Sequence, residues 1–237
     1  MSSLFSNFSS SENLEQVKDS LGGYQPLDSG AYEAVVKTVY ITHSNKGAMA
    51  ANLVLDIEGR EYKEQLWITN SNGENFYKSK SGGKVGLPGF TVLNDLCLCA
   101  VGKELKEMEP EERVFKLYDY DTKQEMPKEV PTIVDLQDTE IIVGIVKQVV
   151  DKTTKNDSGV YVPTGETREE NVIDKIFHAA SHKTVAEAKA GAKEASFYDK
   201  WVAKNTGMTR NRAKGAKAEG TAGAPQKPAT KKPSLFN

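Results

Sequence analysis

The 237-residue chain sets 31 Lys and Arg against 33 Asp and Glu and is 38% hydrophobic, a length that fits one elaborated domain or two small ones. Its longest aliphatic run, Ile141 to Val146, falls far short of the ~18 apolar residues of a membrane span, and Met1 to Ser11 lacks the basic and apolar parts of a secretory signal. Two cysteines one residue apart, Cys97 and Cys99, exclude a disulfide framework and point to a soluble protein of a reducing, intracellular compartment.

Residues 1–23 form an N-terminal segment in which Leu14 and Val17, with Ser11 as cap, predict a short helix over 12–20 that Gly22-Gly23 ends. A Tyr- and Val-rich stretch from Gly30 to Ile41 predicts a long strand, and His43 to Gly47 a turn. Residues 48–57 alternate, with Leu53, Leu55 and Ile57 against Asn52, Val54 and Asp56, as a half-buried strand does. Glu58-Gly59 then makes a hairpin turn into a third strand, Arg60 to Thr69, with Tyr62, Leu66 and Ile68 on one side and Lys63, Gln65 and Trp67 on the other.

Residues 70–89 are too rich in Asn, Ser, Gly and Lys for regular structure and read as a long cationic loop. Leu93, Leu96, Cys97 and Ala100 recur at helical spacing until Gly102. Residues 104–138, charged and interrupted by proline, read as an insertion with one small strand at Val114 to Tyr118. Two more strands follow, Ile141 to Val150 and Val172 to Phe177, joined by a hydrophilic connection. Thr184-Val185-Ala186-Glu187 has capping-box spacing and starts a C-terminal helix within 181–204. Residues 205–237 carry seven Lys and Arg against Glu219 alone, net +6, which leaves −8 for the rest. With almost no large apolar residue before Leu235 and Phe236, this stretch predicts a disordered basic tail.

Spacing gives no support to catalysis. The glycine-rich run Ser81 to Gly89 lacks the four-residue gap before Gly-Lys-Ser/Thr of a phosphate loop. His178 and His182 are four apart but have no Glu between them and lie at a strand end, which argues against zinc. Asp119, Asp121 and Asp135 form no recognisable metal set, so a metal-dependent nuclease ranks last. The expectation is a non-enzymatic protein without cofactor or metal.

Three strands, a helix and two strands match the order of the OB-fold, a five-stranded Greek-key barrel whose loops and second and third strands commonly bind oligonucleotides. The barrel is expected over residues 24–180. On its outward third-strand face Trp67 offers a stacking platform, with Lys63 four residues away and Arg60 at the hairpin. The following loop adds Phe76 and Tyr77 for stacking and Lys78, Lys80 and Lys84 for phosphates. Lys152, Lys155 and Tyr161, in the connection between the last two strands, are further candidates. At the tail tip, Lys231, Lys232, Leu235 and Phe236 form a candidate partner-docking motif.

Gly30-Ala31-Tyr32-Glu33-Ala34-Val35-Val36, Glu61-Tyr62-Lys63-Glu64-Gln65-Leu66-Trp67-Ile68-Thr69 and a tail ending near Phe236 resemble the single-stranded DNA-binding proteins of tailed bacteriophages, over about residues 24–178. The resemblance implies an OB-fold replication protein that coats single-stranded DNA during viral replication, recombination or transcription, in the cytoplasm of a bacterial host. Such proteins generally end in an acidic tail with a terminal aromatic. The basic tail here departs from that pattern, and the expected tail contact is nucleic acid, a polymerase or another replication or transcription protein. The rival expectation is a protein-interaction or virion structural module that does not bind nucleic acid.

Overall fold

Inward-facing positions along the first strand change phase once. Ala34 and Val36 are buried, and so are Val39 and Ile41, which cannot share a face in an unbroken alternation. A bulge between Val36 and Thr38 takes up the extra residue, Lys37, and returns the apolar side chains to the core. The computed structural model describes residues 25–119, 122–157 and 159–214. The helix expected over 12–20 and the motif Lys231 to Phe236 lie outside the described residues.

The protein is mainly β, with antiparallel sheets and few helices. β1 (Gly30–His43), β2 (Met49–Ile57) and β3 (Arg60–Trp67) form the expected meander. Its second turn has both central residues in the left-handed region, Glu58 at φ 54° and Gly59 at 80°, as a tight hairpin requires. Helix α1 (Pro88–Val101) begins on proline and ends where Gly102 turns left-handed and donates its N–H to Leu98. It buries Leu93, Leu96, Cys97 and Cys99, and burial pushes both thiols up to about 12, so neither is a nucleophile at neutral pH.

Several expectations are corrected. The loop over 70–89 contains a small hairpin, β4 (Phe76–Lys78) with β5 (Lys84–Gly86). Asn70 Oδ1 caps the turn before it by accepting from the amides of Asn72 and Glu74. The region 104–138 has two strands, β6 (Glu111–Asp119) and β7 (Gln124–Thr132). Pro127 and Pro131 hid the second, yet beyond the single Tyr40–Thr132 pair with β1 it lies at a sheet edge, where proline is tolerated. The hydrophilic connection between the last long strands is mostly ladder. β8 (Glu140–Lys155) and β9 (Tyr161–His178) stay paired out to Lys155 and Tyr161 as a two-stranded ribbon.

The single C-terminal helix is two, α2 (Val185–Lys189) and α3 (Ser196–Asn205), separated where Gly191 adopts φ 66°. The capping box at Thr184 and Glu187 is present, and Glu187 also accepts the Phe197 amide at 2.8 Å at the start of α3. Residues 205–214 are not a loose tail. β10 (Thr209–Asn211) pairs in parallel with β8 at Lys147 to Val149, on the edge that β1 leaves free before Gly30. α3 lays Trp201 across Gly144, where a Cβ would come within 2.9 Å of the ring, and the Trp201 indole N–H donates to Asp174.

Five strands run in the order β3-β2-β1-β8-β9, with β10 beside β8. Among the described residues no backbone ladder joins β3 to β9. Helix α1 packs on both strands, and Glu64 of β3 accepts the Ile173 amide of β9 at 2.9 Å. The core between them gathers Val36, Val39, Leu53, Leu55, Leu96 and Ile145. Among the described residues, no helix is long and apolar enough to cross a membrane.

Candidate nucleic-acid interface

Because strand positions alternate, the meander that sends Leu53, Leu55, Tyr62 and Leu66 inward turns a polar and aromatic face outward. Cross-strand register sets three rows on it. Thr42 and Ala50 lie beside Trp67, Tyr40 and Asn52 beside Gln65, and Thr38 and Val54 beside Lys63. The middle row is wired to its neighbour. Gln65 Nε2 donates to Asn52 Oδ1 at 3.0 Å, and Asn52 Nδ2 donates to Thr42 Oγ1 at 2.8 Å. Trp67 is 46% exposed, a large area for an indole with so much apolar surface to bury.

Two hairpins adjoin this face. Phe115 of β6 stacks on Tyr40 with ring centroids 5.2 Å apart, and burial raises the Tyr40 hydroxyl above its ordinary pKa. Beyond Trp67, the β4–β5 hairpin carries Phe76, Lys78 and Lys84 on one side and Tyr77 with Val85 on the other. Lys84 Nζ sits 4.1 Å from the Phe76 ring centroid. Adjacent strand residues face opposite ways, so Phe76 and Tyr77 present separate stacking surfaces. Lys78 and Lys80 have no acidic partner among the described residues.

The remaining cations differ in availability. Lys63 Nζ pairs with Glu61 at 2.7 Å, and that hydrogen bond is the main cause of its raised pKa. The Arg60 guanidinium donates to the Gln25 carbonyl at the far end of β3, about 23 Å of strand from Trp67, so it does not belong to the Trp67 cluster. Lys152 pairs with Glu166 across the ribbon at 2.8 Å, and Lys155 lies over Tyr161, 5.3 Å from its centroid. These residues sit on the ribbon of β8 and β9, on other elements than Trp67 of β3.

A cleft of about 390 Å³ opens beside Trp67, lined by Gln65, Asn70, Leu87, Pro88 and Gly89 among others. It exists because α1 starts almost on the backbone of β3. A Cβ on Gly89 would lie 2.9 Å from the Trp67 amide nitrogen and closer still to the Trp67 carbonyl oxygen.

Behind this face, Glu64 points inward between Tyr62 and Leu66, and its Oε2 accepts from the Tyr62 hydroxyl at 2.6 Å and from the Ile173 amide. Burial raises its pKa, with the two hydrogen bonds opposing. An acid whose folded pKa lies above its unfolded one binds more protons when folded, so its contribution to stability falls as pH rises through that interval. Glu64→Gln keeps an oxygen acceptor for both donors and removes the buried charge. It is expected to raise the unfolding midpoint by roughly 2–4 °C at pH 8, with the gain vanishing near pH 4, in thermal melts across that range. A variant less stable than the parent at pH 8 would refute this reading of Glu64.

Tyr40, Asn52, Gln65 and Phe115 were not among the expected site residues. Tyr40 and Thr42 were hidden by the bulge at Lys37, although the shift of apolar positions from 34 and 36 to 39 and 41 was the available signal. Phe115 carried none, since its place over Tyr40 depends on how the β6–β7 hairpin folds back. Among the described residues no group of three or more His, Cys, Asp or Glu is arranged to hold a metal ion. No family model matches the chain, and no curated protein matches its sequence.

Proposed function

We propose that this is a non-catalytic single-stranded DNA-binding protein that coats DNA in phage replication, recombination or transcription, working on an OB-fold. The carrying observation is the exposed Trp67 at the edge of a hydrogen-bonded polar face, beside a hairpin whose lysines have no acidic partner among the described residues. Bases stack on Trp67 and on one ring of the β4–β5 hairpin, while Lys78, Lys80 and Lys84 meet phosphates. The OB-fold reading is supported by the strand order β3-β2-β1-β8-β9 with α1 between the third and fourth of these strands in sequence and packed where β3 faces β9. Lys152, Lys155 and Tyr161 on the ribbon supply an outlying contact, and the tail motif Lys231 to Phe236 a partner contact.

The rival reading, a protein-interaction or virion structural module, draws on the outer side of the β6–β7 hairpin, where Val114 and Tyr118 are exposed. One titration separates the two. Intrinsic fluorescence and labelled-oligonucleotide anisotropy are followed together as oligo(dT) is added at several salt concentrations, with duplex as competitor. Trp201 is only 4% exposed and bound to Asp174, so quenching reports Trp67. The expected result is salt-sensitive binding that quenches Trp67 and prefers single strands. Absence of binding at low salt rejects the proposal in favour of the interaction module.

A further inference from the structure

Two clefts meet at Pro88. One is the Trp67 cleft; the other, about 350 Å³, lies between α1, β9 and β10 and is lined by Thr91, Asp95, Gln148, Lys175, Arg210 and Arg212 among others. The first turn of α1 between them contains no acidic residue and no side-chain cap, so the helix itself places no negative charge at its positive end.

The charges of the second cleft are not equally available. Asp174 is occupied: its Oδ1 accepts both Arg210 guanidinium nitrogens at 3.1 Å and its Oδ2 accepts the Trp201 indole at 2.9 Å. Arg210 is thereby occupied too, as a structural strut between β10 and β9. Asp95 has its carboxyl pKa raised by burial, with Lys175 and Lys189 pulling it down. Arg212 differs from all of these. Its amide is fixed on the Val149 carbonyl at 2.8 Å, while its side chain is exposed and has no acidic partner among the described residues. A cation on a fixed backbone with an uncommitted guanidinium is well suited to a phosphate. Two residues on, the Lys214 amide binds Asp151 at 2.8 Å, at the base of the ribbon that bears Lys152 and Lys155.

We infer that a bound single strand continues from Trp67 over Pro88 to Arg212, so that the residue just after β10 is a second phosphate contact linking the meander face to the ribbon. This rests on the single-strand reading above and extends it to a residue that the sequence assigns to a basic tail. The path follows the outside of the sheet from β3, past the start of α1, to the face of β8 and β9 that β10 borders.

The test uses the full chain with Arg212→Glu, the milder Arg212→Ala, and Lys200→Glu on α3 as a control of equal charge change. Each is titrated with oligo(dT) of about 6 and about 20 nucleotides, the first near the lower end of OB-fold site sizes and the second beyond the upper end. The parent is expected to bind the longer oligomer more tightly and with a steeper salt dependence. Arg212→Glu should lower affinity for the longer oligomer by about three- to tenfold and flatten its salt slope by about 0.7, and Arg212→Ala should do so to a lesser degree. Affinity for the shorter oligomer, and all values for Lys200→Glu, should stay within about twofold of the parent. Equal loss at both lengths, or loss at neither, overturns the Arg212 path while leaving the Trp67 site standing. No binding of either oligomer by the parent overturns both.

Discussion

Trp67→Ala is expected to weaken oligo(dT) binding by about tenfold or more and to abolish the fluorescence quench, while the protein stays folded. The size follows from base–aromatic stacking, which contributes ~1–3 kcal/mol per base. The specificity follows from position. Trp67 is nearly half exposed and on the outward row with Ala50 and Thr42, whereas its chain neighbours Leu66 and Ile68 are in the core. Truncating it therefore removes a platform without opening a cavity among Leu53, Leu66 and Leu96. A folded Trp67→Ala variant with parental affinity would remove Trp67 from the site. Phe76→Ala and Tyr77→Ala then distinguish the two sides of the β4–β5 hairpin, since only the ring facing the bound strand should matter.

The second large effect is structural. Gly89→Ala forces a methyl group onto the Trp67 backbone, closer than side-chain carbons approach main-chain atoms, and neither partner is a flexible side-chain end. Overpacking of this kind costs about 1–3 kcal/mol, and here the first turn of α1 or the end of β3 has to move. The expected outcome is a clear drop in the unfolding midpoint, together with weaker oligo(dT) binding even where the variant is fully folded, because displacement of α1 reshapes the cleft beside Trp67. Melting and titration of the same preparation read both. A variant with unchanged midpoint and unchanged affinity would mean that the approach of α1 to β3 is looser than the geometry implies. This coupling separates Gly89 from Trp67: the tryptophan substitution should move affinity alone, the glycine substitution both quantities.

Because β10 lies within residues 205–214, the position of a C-terminal truncation matters. Cutting at Asn205 would delete β10 with the Arg210–Asp174 pair and expose the β8 edge at Lys147 to Val149. A cut after Lys214 leaves the described strand intact and isolates the contribution of the residues beyond it.

Elements whose burial pattern is local can be read directly from the residues. The alternation of Leu53, Leu55 and Ile57, the Glu58-Gly59 turn, the helical recurrence of Leu93, Leu96 and Cys97 up to Gly102, and the Thr184–Glu187 capping box each have their cause within a few residues. The exposed side of Trp67 was legible for the same reason, since a strand with Tyr62 and Leu66 inside must turn Trp67 out. Elements without an apolar face were not legible. The β4–β5 hairpin, the proline-bearing β7 and the outer ribbon of β8 and β9 are held by backbone ladders that polar side chains neither favour nor forbid, so their composition reads as loop. Which side chains meet follows from the packing of distant elements: Phe115 on Tyr40, Arg60 on the Gln25 carbonyl, Glu64 between β3 and β9, and Arg212 on the edge of β8. Those contacts join residues from 35 to 109 positions apart, and a pairing over such separations is set by how whole elements pack rather than by the residues beside it in the chain.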